Sequence, residues 1–245
     1  MADAPRAPVR RARLVADRSL EAPMPLSGQA MLINFMNISA EHEEDFNRWY
    51  DKEHLAERVA IPGFLEARRY VAEDAAARYL GIYTTETIET LGSPEYHHRL
   101  ANQTAWSLRN IDRFRDATRA CARVVESRGV GRGAALGLIR LRPAAGKEPS
   151  AAALKARIDA ALDLDGVLSI HVLANDPALS KPLKEDPAAA AGASDWYVLI
   201  DATGQEALGP AEKALDLAKT AEGLRLVSSG RYRLLWDLAR AELAD

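Results

Sequence analysis

"PGFLEARRYV", residues 62–71, finds a counterpart 103 residues further on in "DGVLSIHVLA", residues 165–174. Each carries a glycine at its start, Gly63 or Gly166, and runs on at strand length. "QAMLINFMNI" (29–38) precedes the first and "GAALGLIRLR" (133–142) the second, again 103 apart when Gly133 is set against Ala30. A helical stretch lies between strand and glycine in each half. In the first half it begins at Ser39, a candidate N-cap, and Glu41, Glu43 and Glu44 suit the positive end of its dipole. It stops near Ala60, because Pro62 disfavours helical geometry at Ile61. In the second half "PSAAALKARIDAAL" (149–162) has Ala and Leu at helical spacing.

The correspondence continues downstream. "ARYLGIYTT" (77–85) is matched by "DWYVLIDATG" (195–204), with Tyr79 set against Tyr197 and the offset grown to 118. That growth places an insertion at about 175–194, rich in Asp, Pro and Ala and expected as a surface excursion. A second helical region at 87–113, interrupted near Gly92-Ser93-Pro94, leads to a closing strand at 117–126, which "GRYRLLWDLA" (230–239) mirrors. The order is β-α-β-β-α-β, twice. Each unit is a ferredoxin-like antiparallel sheet with helices on one face, and its bare apolar face needs a cover. Two copies packed sheet on sheet supply it. The expected fold class is therefore α+β, with repeats at 29–128 and 129–245, an arm at 1–28 that is loosely attached, and a cleft between each sheet and its helices.

Composition narrows the function. Net charge is −3, from 32 basic and 35 acidic residues, and the one basic cluster (Arg6, Arg10, Arg11, Arg13) reads as a solvated tail. Nucleic acid is therefore not an expected partner. No apolar run reaches the ~20 residues of a membrane span, and the arm lacks the apolar core of a secretory signal, so a cytoplasmic protein without a membrane partner is expected. The single cysteine, Cys121, excludes an intrachain disulfide and reads as a buried inert thiol. His97 and His98 are adjacent, so on a helix they point about 100° apart, and nothing completes a ligand set; no metal is expected. No phosphate-binding loop, dinucleotide fingerprint or nucleophile elbow occurs.

"FNRWYDKEHLAERVAIPGF" (46–64) carries the chemistry. At 100° per residue Asn47, Tyr50, Asp51, His54 and Arg58 share about a third of a helix's circumference, at the edge of the stripe formed by Phe46, Trp49, Ala56 and Ala60. His54 titrates near neutrality, and Asp51, one turn before it, is placed to orient it or raise its pKa. Tyr50 and Asn47 are candidate donors to a carbonyl or enolate oxygen. The same cluster also suits the satisfaction of buried polar groups. Arg58 is equally a ligand contact or an ion-pair partner, and Glu53 and Glu57 are expected to pair with Arg68 or Arg69. Trp49, Trp106 and His97 are candidate cleft-lining residues. His171 lies in register with Arg68 and faces either the cleft or the barrel interior, as a satisfied core histidine.

"FNRWYDKEHL", "PGF" and "ARRY" together resemble the dimeric α+β barrel superfamily, in particular its EthD-like branch, over most of residues 29–240. The resemblance implies that one chain supplies both halves of a pseudo-dimer, with His54 as the residue of proton transfer and Trp49-Tyr50 beside it. The second half has neither the aromatic pair nor the histidine on its helix, so a reactive cleft belongs to the first. The leading expectation is a cofactor-independent isomerase or lyase acting on a small carbonyl, lactone or aromatic metabolite, with a homo-oligomer possible. A cofactor-free oxygenase of aromatic compounds and a non-catalytic ligand-binding or assembly protein are the alternatives.

Overall fold

The structure, a computed structural model, describes residues 26–147, 149–180, 192–217 and 223–243. The first half runs β1 (Ala30–Asn37), a 3-10 turn, α1 (Glu43–Trp49), a π-helical turn (Tyr50–His54), α2 (Leu55–Val59), β2 (Phe64–Asp74) and β3 (Tyr79–Thr85). It closes with α3 (Pro94–Ala101), α4 (Ala105–Asp112) and β4 (Arg115–Gly129). The second half gives β5 (Ala135–Pro143), α5 (Lys155–Leu162), β6 (Val167–Asn175), β7 (Trp196–Ala202), α6 (Leu208–Leu215) and β8 (Leu224–Ala239). Antiparallel pairing closes a barrel in the order β1-β3-β2-β8-β5-β7-β6-β4. Each half is thus a four-stranded ferredoxin-like sheet, and the halves join through β2 with β8 and β4 with β6. This is the fold class expected from the repeats.

Three details differ from the sequence reading. Ala30 and Ala135 hold equivalent places, pairing with Thr85 and Ala202, so β1 and β5 are 105 residues apart (135 less 30), not 103. Tyr79 is matched by Trp196, not Tyr197: Val71 pairs with Tyr79 as Ala174 pairs with Trp196, an offset of 117. Ser39 does not cap the helix; a 3-10 turn (Ala40–His42) intervenes, and the Ser39 hydroxyl donates to Glu41 at 3.4 Å. The glycine match does hold. Gly63 and Gly166 both take positive φ, +83° and +82°, a conformation that favours glycine at each helix-to-strand turn.

Residues 1–25 of the arm, Leu14, Leu20 and Met24 among them, lie outside the described residues. Its end belongs to the body. Leu26 is buried with Met31, Ile33 and Leu136 in the barrel interior, and the position of Gly28 against the Thr85 carbonyl leaves no room for a Cβ. The insertion is likewise more than a surface excursion where it is described. The Ser180 hydroxyl accepts from the Cys121 N–H at 2.9 Å and donates to its carbonyl at 3.1 Å, and Leu179 packs against the first half's core.

The strand alternation sorts the core. Met31, Ile33, Leu80, Ile82, Leu136, Leu173 and Leu199 fill the barrel. One end of that interior is polar: Arg68 donates to Asp201 at 2.9 Å, both fully buried, tying β2 to β7. His171 sits beside them in the interior, between Ser127 Oγ at 2.8 Å and Ser169 Oγ at 3.1 Å. Outside the barrel, Ile158, Ala161, Leu208 and Leu215 fill the space over the second sheet with aliphatic side chains.

Candidate functional site

Over the first sheet the filling is incomplete. A cavity of about 350 Å³ opens between β1, β3, β4 and the helices. Its polar wall comprises Tyr50, His54, Arg58, Tyr83, Tyr96 and Arg119, and its apolar wall includes Leu32, Met36 and Phe114. Ser180 and Gly192, at the described ends of the insertion, complete the rim. A second depression of about 450 Å³, near Ile61, Pro94 and His98, is open to solvent and has none of this buried polar lining.

The π turn sets the arrangement. An i→i+5 hydrogen bond from the Leu55 N–H to the Tyr50 carbonyl widens the helix by one residue, a device that recurs at functional sites. Tyr50, His54 and Arg58 therefore face the cavity together. Asn47 and Asp51, expected on the same stripe, do not. Asp51 accepts from Arg69 at 2.8 Å and from the Trp236 indole at 2.9 Å, so it neither orients His54 nor raises its pKa. Asn47 accepts from Arg69 and donates to Tyr79 Oη at 3.2 Å, and the Tyr79 hydroxyl donates to Glu43 at 2.6 Å. Arg69 itself lies over the Tyr50 ring, 4.4 Å from its centroid. These groups fasten the helix to β2, β3 and β8.

His54 is almost fully buried, and its Nδ1 has no partner. The Trp49 indole lies 4.2 Å from the imidazole, centroid to centroid, and is held by its own bond to Ser107 Oγ at 3.0 Å. Trp49 thus fixes the His54 ring without reaching the cavity. Burial, followed by the charges of Arg58 and then Arg69, pushes the His54 pKa well below 6.5, so the ring is neutral at pH 7. Burial raises the pKa of both Tyr50 and Tyr83, which keeps them O–H donors. Their hydroxyl oxygens converge above Gly81, each 3.6 Å from the point where a Cβ there would stand.

The other nominated residues lie elsewhere. Trp106 donates to Asp45 at 3.0 Å, and His97 is exposed. His171 occupies the barrel interior and not the cleft, where burial first and then Arg68 and Arg132 push its pKa down to about 3. Glu53 and Glu57 do not pair with Arg68 or Arg69: Glu53 accepts from Thr104 at 2.6 Å and Ser107 at 3.2 Å. Cys121 is buried on β4, where desolvation pushes its thiol up to about 11. Among the described residues no group of three His, Cys, Asp or Glu side chains is placed to hold a metal. Also among them, no helix is long and apolar enough to cross a membrane.

Tyr83, Tyr96 and Arg119 line the cavity without having been singled out from sequence. Tyr83 had a signal: Tyr79, Gly81 and Tyr83 alternate along one face of β3. Arg119 had none, because an arginine alternating with Cys121 and Arg123 on β4 reads as a solvated face until the barrel is closed.

Comparison with solved structures places this architecture among the dimeric α+β barrels. An anthrone oxidase-like protein superposes with a TM-score of 0.54 at 11% identity, covering 89% of this chain and 96% of its own. A heme-binding protein from Thermus thermophilus gives 0.52 at 10%, covering 86% and 92%. A mutant chlorite dismutase from Candidatus Nitrospira defluvii gives 0.51 at 12%, covering 84% and 90%. No family model matches the chain, and no curated protein does. At these identities the likeness is one of fold.

Proposed function

We propose that the protein is an enzyme that moves a proton next to a carbonyl on a small ring compound, using His54 as the base. One observation carries this reading: a neutral imidazole, clamped by Trp49, lines a cavity whose wall also includes the side chains of Tyr50 and Tyr83. In the step envisaged, the His54 imidazole takes a proton from the carbon adjacent to the carbonyl. The C–H electron pair moves onto the carbonyl oxygen, and Tyr50 donates to the resulting enolate. Returning the proton to a different carbon gives isomerisation; expelling a leaving group gives elimination. His54 is a weak base in the free protein. Negative charge developing in the substrate opposes the field of Arg58 and strengthens it as the reaction proceeds.

A cavity of about 350 Å³ is at the small end of the ~300–1,000 Å³ range of ligand sites and suits one or two rings. A porphyrin is too large for it, so the heme of one fold relative is not carried over, and no step is routed through a cofactor. The apolar walls support one further reading, in which the same carbanion is handed to dioxygen; an oxygen electrode separates the two. The EthD-like branch remains part of this proposal, resting on the motif around His54.

Exchange of the α-protons of 2-tetralone in D2O, followed by proton NMR, tests the base without knowledge of the natural substrate. Catalysed exchange is expected, falling on the order of 10²–10⁴-fold in His54→Gln. Exchange no faster than in buffer, or unaltered in the variant, would remove the main support.

A further inference from the structure

Among the described residues three arginines are buried, and two have a counter-charge: Arg68 has Asp201 and Arg69 has Asp51. Arg58, 4% exposed, has no ion pair with any described carboxylate, and its one side-chain hydrogen bond among the described residues is to the neutral Gln103 at 3.2 Å. Arg119 is in the same state. It donates to the Leu179 carbonyl at 2.7 Å and to Tyr96 Oη at 3.3 Å, and its Nε has no partner. Half-buried Arg140 and Arg142, by contrast, share the buried carboxylate of Asp195, while half-buried Arg157 donates to the Leu215 and Asp216 carbonyls and lines no such cavity. Arg58 and Arg119 line the same cavity, whose described wall contains no aspartate or glutamate. Desolvating a guanidinium without a counter-charge is costly, and functional groups are where such costs are retained.

We propose that the ligand of this cavity is a compact ring anion, a body of one or two fused rings bearing a carboxylate held by Arg58 and Arg119. The guanidinium fork matches a carboxylate bidentately, and the faces of Tyr83, Tyr96 and Phe114 suit the ring body. The inference rests on reading the cavity as the functional site and adds the charge of its substrate. It also bears on His54. The charged and titratable groups around that ring are Arg58 and Tyr50 on its own helix, Arg69 on β2 and Tyr83 on β3. An anion at Arg58 cancels the nearest charge that opposes protonation of the imidazole.

Calorimetric titration with 1-naphthoate and 1-naphthamide, which share a ring body and differ in charge, tests it at pH 7.5. Naphthoate is expected to bind at least about tenfold more tightly, with affinity falling as salt rises. Arg58→Gln and Arg119→Gln should each weaken naphthoate on the order of 10- to 100-fold and leave naphthamide unchanged, and Arg58→Lys should be intermediate. If Arg58→Gln does not fold, the half-buried Arg119 carries the same comparison. Equal affinity for the two probes, or naphthoate binding indifferent to both glutamine variants, overturns the anion and leaves the cavity as a site. Binding of neither probe overturns both readings.

Discussion

His54 and His171 are two buried imidazoles with opposite surroundings. His171 is bonded at both nitrogens by serine hydroxyls, whereas His54 has a stacked indole and a free Nδ1. His54→Gln therefore breaks no described hydrogen bond, but it exchanges a packed ring for a buried amide and should cost about 1–3 kcal/mol of stability. Both pKa values are depressed by burial, so both give the same sign of pH dependence. Below the unfolded value of 6.5 the unfolded chain binds protons that the native state refuses, and stability falls as pH drops from about 7 toward 4. His171, with its pKa at about 3, should contribute a loss of about 2 kcal/mol between pH 7.5 and 5, and His54 a loss of the same sign. Urea titrations at the two pH values check this: the difference should shrink by about that amount in His171→Gln and shrink again in His54→Gln. Asn47→Ala makes the contrasting case. It leaves buried Arg69 short of an acceptor and should cost about 1–3 kcal/mol while leaving naphthoate affinity unchanged.

At the scale of elements, the helix over 43–59 shows what a sequence displays of a site and what it hides. A wheel drawn at 3.6 residues per turn groups five polar residues, of which three reach the cavity. The π turn separates them, and nothing in "YDKEH" announces an i→i+5 bond. The strands hide more. Which face of β4 meets the helices is settled by pairing with β1 and β6, so Arg119 becomes legible only once the barrel is closed. The repeat itself is readable from Gly63 and Gly166, since positive φ at the same turn selects glycine twice. A tyrosine match carries no such constraint, and setting Tyr79 against Tyr197 misplaces β7 by one residue. The insertion is visible as an interruption, but its packing is not. Ser180→Ala should cost about 1–2 kcal/mol, a melting shift of roughly 2–8 °C, because both Ser180 bonds end on the backbone of Cys121 in β4. A variant melting with the wild type would return the insertion to the surface role expected from its composition.

For the whole molecule, one core is shared by two halves. Residues of β1, β2, β3 and β4 interleave inside the barrel with those of β5, β6, β7 and β8, and the sole described ion pair between fully buried partners spans the division. Replacing Asp201 by Asn keeps the volume and removes the counter-charge of Arg68. It should cost about 3–5 kcal/mol in urea unfolding, with the slope unchanged. A loss under about 1 kcal/mol would mean that solvent reaches Arg68.

That ion pair also determines which halves recognise one another. Thr84 and Asp201 hold equivalent places in the two sheets, as do Arg68 and His171. Two copies of the first half, mated as the halves are mated here, would set Arg68 against a threonine instead of a carboxylate. The interior is thus a lock whose two faces are cut differently, and self-mating is penalised where cross-mating is not. Cleaved in the turn between β4 and β5, the chain is expected to survive as a complementary pair of fragments. Produced together they should co-purify one to one, and the first fragment produced alone should aggregate or self-associate weakly. A pocketed half and a charge-supplying half are then different parts of one device, free to change separately on the outside and bound to change together within.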